Sequence, residues 1–403
     1  MDGQNKIGKW SHIDQFYKLD SSEPALRICN KLTDAHIIPS KMNKMKVKNC
    51  TQVFSHAVGS LMKRIAQWDI KDNYNLPKEA TDTADLILFL DKLFDSLNIS
   101  KKSKPQAEPL KWAVTKNSIH EEFWQNSLKI LDTMKFFSLE KQRFVAIPTL
   151  KNLKFTVKGF IYLRQILLIK KKFKFVLTGA FNQDPLENFF SYIRSHGHRY
   201  TNPDVAHFCS SFKSLVVNNF MSSHSPGSNC QKDMATECLD NLRTFLTGEY
   251  IAGVRPLDTD KDLPEIPRNI IIHKETKIAR CTLVYMGGAI IKILLKTKML
   301  KECKNCQNKL SVRHGMPMED DFIEAREYER AHLMKPGHYV NFLVTHSMKS
   351  LFYLIPRLVT TNKIANVLKH ILQQNLNFNV LNSCPQHNLG LKLCEVMVRC
   401  ALF

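Results

Sequence analysis

The sequence predicts an α-rich mixed fold, and three observations predict it. Apolar residues recur at three- and four-residue intervals through most of the first 170 residues, the signature of amphipathic helices. One short stretch, Phe173–Gly179, alternates instead and is rich in strand formers. Beyond an irregular Ser-, Gly- and Pro-rich zone, the chain from about Asn269 to Phe403 reads as a second helical unit.

Each element has its own signal. Phe54, Ala57, Val58, Leu61, Met62 and Ile65 form a single stripe, which predicts a helix within residues 49–68. Leu86, Leu90, Leu93, Phe94 and Leu97 predict another from about Asp82 to Asn98, ending at the polar, Pro-containing stretch Ser100–Pro109. A third helix is expected over Ile119–Met134, and a fourth over Thr156–Ile169. Phe173–Gly179 then reads as a strand, and Asn182–Asn188 as a loop followed by a helix start. The linker begins near Met221, where Ser222–Ser228 is Ser-, Gly- and Pro-rich, and Arg255–Arg268 extends it. The expected domains are therefore residues 1–172, 173–220 and 269–403, with 221–268 between the last two. No internal repeat is evident.

Composition narrows the partners. Fifty-eight Lys and Arg against 37 Asp and Glu leave a net charge of +21, which favours a polyanion, nucleic acid first, through counterion release. The excess is clustered in Lys41–Lys48, Lys101–Lys104 and Lys170–Lys174, as a binding face requires. Met1–Gly8 is polar, and the apolar run Leu283–Leu295 is broken by Gly287, Gly288 and Lys292, so neither a secretion signal nor a membrane span is expected. Eleven cysteines without a secretion signal point to a reducing compartment, where a close pair is a metal candidate.

Three segments invite chemistry. Gly3–Lys9 has the spacing of a phosphate loop, but Trp10 follows where a hydroxyl should hold magnesium, and no apolar strand precedes Gly3. A nucleotide, if bound, is bound without a P-loop. Asp184-Pro-Leu-Glu187 reads in two ways: as a capping box with Asp184 at the N-cap, or as a helix start presenting Glu187 as a metal-binding carboxylate. The third is Cys303-x-x-Cys306 together with Cys384-x-x-His387, two knuckles that supply four ligands for a structural Zn2+. Two unrelated turns with free thiols are the alternative, and His314, His332 or His338 can stand in the ligand set.

Several blocks in order resemble the P-element and THAP-type DNA transposases. Gln183–Phe190, Ile193-Arg194-Ser195, Asn202-Pro203 and Phe212–Leu215 resemble the segment around the last catalytic glutamate of that family's RNase H-like domain. Trp10–Ile13, Phe16-Tyr17, Leu19-Asp20, Lys31–Asp34, Met45–Val47 and Thr51–Ser55 resemble the start of the insertion that splits it. The resemblance covers residues 8–220 well and the C-terminal third more loosely. It implies a helical GTP-binding insertion, the end of an RNase H-like domain and a helical C-terminal domain.

It also implies roles. Lys31, Lys46 and Val47 fall on positions near the nucleotide, Phe94, Asp95 and Asn98 on an aromatic-acid-amide cluster, and Asp184 on an acidic contact. Lysines neutralise phosphate, an aromatic face stacks on a base, and an Asp accepts both hydrogen bonds from the N1 and N2 edge of guanine, which adenine cannot offer. Glu187 matches the catalytic glutamate, one of three carboxylates that hold two Mg2+ ions about 4 Å apart. The two aspartates lie upstream of the insertion in that family, so this polypeptide is expected not to cut DNA by itself and to be a truncated product. Relatives of this kind carry out cut-and-paste transposition in the nucleus on transposon-end DNA, with GTP as an organising cofactor. A non-enzymatic, transposase-derived regulator that binds DNA or protein is the rival, and whether the chain forms a homo-oligomer is left open.

Overall fold

In the computed structural model the described residues are 6–22, 26–42, 46–68, 75–100, 102, 109–195, 202–217, 276–311, 320–327, 333–358, 363–382, 384 and 386–402. The expected linker at 221–268 lies outside them. The first part of the chain carries α1 (Trp10–Ser21), α2 (Asp34–Ile37), α3 (Val47–Val53), α4 (His56–Ala66) and α5 (Ala80–Leu97). These are followed by α6 (His120–Thr133), α7 (Pro148–Arg164), α8 (Asp184–Ser195) and α9 (Val205–Val217). The C-terminal part carries α10 (Lys277–Leu294), α11 (Lys298–Glu302), α12 (Lys304–Leu310), α13 (Asp321–Arg326), α14 (His338–Leu358), α15 (Ile364–Asn375) and α16 (Leu389–Leu402).

The α-rich expectation holds, with local departures. The stripe over 49–68 forms two helices, because the chain breaks at Phe54-Ser55 and the Ser55 hydroxyl accepts the Val58 amide at 3.5 Å as a new N-cap. Phe173–Gly179 does not form a strand. Its alternation does bury Val176 and Thr178, but the pairing is a single antiparallel bridge between Val114 and Val176. Alternation reports which side chains face the core, and a strand also needs a neighbour to receive its backbone groups. The sheet found among the described residues is a hairpin of β1 (Phe136–Ser138) and β2 (Arg143–Val145), with Phe137 opposite Phe144.

The chain divides into two compact units. One contains Met1–Asn43, Gln52–Leu88 and Val254–Phe403, and the other Lys44–Thr51 and Phe89–Gly253. These boundaries differ from divisions at 172 and 268. Within the first unit, Cys281 of α10 and Phe322 of α13 are buried in one cluster with Ile13, Phe16, Leu61, Met62 and Ile87. Arg64 of α4 and Lys277 of α10 both pair with Asp321, at 2.8 and 2.9 Å. A second cluster joins α10, α14, α15 and α16 through Leu283, Ile291, Leu343, Leu351, Leu372 and Leu393. Helical periodicity specifies a buried face and not the partner that covers it, so contacts between distant segments escape a linear reading.

The second unit is built on Phe89, Leu93, Trp124, Leu131, Val157, Phe160 and Leu168, where the end of α5 packs with α6 and α7. Trp124 is fully buried, and its indole N–H donates to Ser96 Oγ at 3.0 Å, so the one polar atom carried inside is satisfied. A π-helical turn, Gln165–Lys170, ends α7. Lys172 then adopts a left-handed conformation (φ 57°), which turns the chain back toward Val176.

Candidate functional site

The end of α5 and the approach to α8 are bound together by four polar contacts. The Ile99 amide donates to Thr178 Oγ1 at 2.9 Å, and that hydroxyl donates to the Ser96 carbonyl at 3.1 Å. The Gly179 amide donates to the Ile99 carbonyl at 2.9 Å, and Asn182 Nδ2 donates to Asn98 Oδ1 at 2.8 Å. The fit is close at Gly179, where a Cβ would stand 3.0 Å from the Ile99 oxygen. These contacts hold the loop that leads to Asp184 against Asn98, directly after the helix that carries Phe94 and Asp95.

Phe94 and Asp95 lie in the last turn of α5, and Asn98 follows directly after it, three positions from Asp95. Phe94 is 42% exposed, a presented aromatic surface and not a core residue. Asp95 forms an ion pair with Lys111 at 3.0 Å, and Asn98 is engaged by Asn182. Lys46 is exposed at the start of α3, and Val47 beside it is 57% exposed. Both belong to the same compact unit as the α5 cluster and Asp184. Lys31 is an exposed turn residue of the other unit. Asp184 opens α8, and its side chain lies outside the described residues.

Glu187 lies in the first turn of its helix and is engaged by Gln183. Helix α8 begins at Asp184, the Gln183 carbonyl receives the Glu187 amide at 2.9 Å, and the Gln183 side-chain amide donates to the Glu187 carboxylate. The Asp184 side chain, on which the expected capping box depends, lies outside the described residues. Asp204 caps α9, with its carboxylate accepting the His207 amide at 2.7 Å. Helices α8 and α9 pack through Phe189, Phe208 and Phe212, whose ring centroids lie 5.9 to 6.3 Å apart. Among the described residues, Glu187 belongs to no group of three or more side chains placed to hold a metal ion.

The four residues of the zinc motif do converge. One ligand atom from each of Cys303, Cys306, Cys384 and His387 lies within 4.8 Å of all the others. Cys306 Sγ and His387 Nδ1, 81 positions apart in sequence, stand 3.4 Å from each other. Cys303 immediately precedes α12, and the Cys306 amide beside it holds the Cys303 thiol below its ordinary value. Burial pushes Cys306 up to about 12. His338, named in the sequence as a substitute ligand, begins α14 and is absent from the cluster, while His314 and His332 lie outside the described residues.

One lysine of the 101–104 cluster stands next to the end of the 170–174 cluster. Lys102 Nζ lies 4.6 Å from the Phe175 ring centroid, beside the exposed Lys170, Lys171, Lys172 and Lys174. Phe173 is exposed within the same run. At the end of the Gly3–Lys9 segment, Lys6 pairs with Asp85, and the Lys9 amide donates to Thr83 Oγ1 at 3.0 Å.

Residues 1–109 match the family described as TNP-like, GTP-binding insertion domain, and residues 180–213 match TNP-like, RNase H C-terminal domain. This chain is related to the P-element transposases. The Transposable element P transposase of Drosophila melanogaster is 24% identical over 363 residues, which cover 85% of this chain and 45% of that protein. The chain thus spans less than half the length of this P-element relative. A solved structure, the Drosophila P element transposase strand transfer complex, aligns at a TM-score of 0.43 with 21% identity, over 51% of this chain and 44% of that one. The Asn98–Asn182 hydrogen bond joins the two segments that match the TNP-like domain families.

The sequence reading missed Asn182, Thr178 and Lys111 as partners of the α5 cluster. Asn182 stands two residues before Asp184, but nothing local marks its amide as the partner of Asn98.

Proposed function

We propose that this chain is a P-element-type transposase polypeptide that binds a guanine nucleotide and DNA through its second compact unit. The observation that carries the reading is the junction at Asn98 and Asn182. It joins the α5 face bearing Phe94 and Asp95 to the loop that enters Asp184, and it draws on both family-matched segments. Phe94 offers a stacking face, Asp184 and the Asp95/Asn98 pair the acceptors for a guanine edge, and Lys46 a cation for phosphate. Val47 contributes its backbone. Lys111, paired with Asp95, fixes the direction in which that carboxylate points. The nucleotide acts as an organising ligand and not as a fuel, because Trp10 follows Gly3–Lys9 where a phosphate loop needs a hydroxyl to position magnesium for hydrolysis.

DNA is the second partner, held by Lys102 and Lys170–Lys174 through its phosphates, in the nucleus. Glu187 is the matched catalytic carboxylate, but a two-metal reaction needs more negative charge than Glu187 brings. The 403-residue chain alone therefore binds DNA without cutting it. Nucleotide competition on the full chain tests the proposal: GTP or GDP should displace a fluorescent guanine nucleotide at concentrations where ATP does not. Equal displacement by ATP overturns it.

A further inference from the structure

We infer that Cys303, Cys306, Cys384 and His387 bind one structural zinc ion, which joins the start of α12 to the loop that enters α16. The inference rests on the convergence of four ligand atoms and is independent of the nucleotide reading. A tetrahedral zinc with bonds of about 2.0 to 2.3 Å places its ligands roughly 3.3 to 3.8 Å from one another. The Cys306–His387 separation of 3.4 Å already meets that, and the widest in the set, 4.8 Å, needs a contraction of about 1 Å. Three sulfurs and one imidazole nitrogen form the soft-to-borderline donor set that selects zinc over magnesium or calcium.

Both halves of the site are held in shape by the surrounding chain. In the first, Cys303 and Cys306 are brought to the same side by the first turn of α12, and Cys306 and Leu310 anchor that helix in the buried cluster. In the second, the His387 amide donates to the Cys384 carbonyl at 3.2 Å, closing the turn between the two ligands. Asn382 Oδ1 accepts the Gly390 amide at 2.8 Å across that loop, and Asn388 takes the left-handed conformation (φ 43°) that turns it. Gly390 itself is fixed by space, since a Cβ there would lie 2.2 Å from the Phe378 carbonyl oxygen. A ligand set this far apart in sequence is a cross-link, so metal binding should contribute directly to the stability of the C-terminal helices.

The test begins with the unmodified full chain, purified under reducing conditions without chelator. Elemental analysis should give about one zinc per chain, and titration of the thiols with an organomercurial should release that zinc to a colorimetric indicator. Replacement by Co2+ should give the intense visible bands of a tetrahedral thiolate site. Cys306→Ser should lose the metal, while His387→Cys, which keeps four zinc ligands, should retain it. A metal-free chain that gives no tetrahedral Co2+ spectrum overturns the inference. So does zinc that survives in the Cys303→Ser/Cys306→Ser double variant, or a disulfide between any two of these cysteines in the reduced preparation. Because the first two readouts use the native chain, a variant that fails to fold does not rescue the idea.

Discussion

Asn182 donates its side-chain amide to Asn98 Oδ1 at 2.8 Å, and this bond fixes the loop before α8 to the last turn of α5. Both groups are partly buried, so removing one leaves the other to find a partner in a confined space. Asn182→Ala should cost about 1 kcal/mol of stability. It should weaken guanine-nucleotide binding by more than that figure explains, because the approach to Asp184 is freed. Urea unfolding and nucleotide titration, run on the same preparation, separate the two effects. An unchanged affinity would mean that the junction does not position the nucleotide contacts.

The lysine face near Phe175 should govern DNA binding. Replacing Lys170, Lys171, Lys172 and Lys174 together by alanine should flatten the dependence of affinity on salt, by about 0.9 in log–log slope for each phosphate that is no longer neutralised. Binding to unrelated sequences should fall equally. With Mg2+ or Mn2+ present, the native chain should leave transposon-end DNA uncut. Nicking that disappears in Glu187→Gln would show that further carboxylates complete the site.

Asp321 makes a prediction about acid stability. Burial alone would raise its pKa, but the hydrogen bonds from Lys277 and Arg64 outweigh that and hold the carboxyl below its ordinary value. Because the folded-state value is the lower one, the contribution is present above the unfolded pKa of about 4 and is lost as pH falls below it. Asp321→Asn should destabilise the chain by about 1 to 3 kcal/mol at pH 7. The gap to the native chain should narrow on acidification toward pH 3. A gap independent of pH would mean that the two cations do not depress Asp321.

Much of this was legible in the sequence where local physics decides the outcome. Leu86, Leu90, Leu93 and Leu97 mark α5 because an amphipathic helix has one period and needs no distant partner to declare it. The pairing of Cys303 with Cys306 and of Cys384 with His387 was legible because a two-residue spacer brings two side chains together on a single turn. Phe173–Gly179 misled because alternating burial is the same whether or not a second strand lies alongside. The bond from the Gln183 side-chain amide to the Glu187 carboxylate was not anticipated, because a carboxylate one turn into a helix can accept from any side-chain donor that precedes it. The burial of Phe322 with Phe16, and the pairing of Lys111 with Asp95, join residues that no local pattern connects.

Calorimetric titration of the full chain with GTP and with ATP, for the native protein and for Asp184→Ala, tests guanine recognition. An Asp that accepts two hydrogen bonds from the guanine edge leaves adenine with an unmatched pair, so GTP should bind the native chain at least tenfold more tightly than ATP, a difference of about 1.4 kcal/mol. Asp184→Ala should remove most of that preference while changing ATP binding little. Equal affinities of the native chain for GTP and ATP, or a preference untouched by Asp184→Ala, would contradict the account.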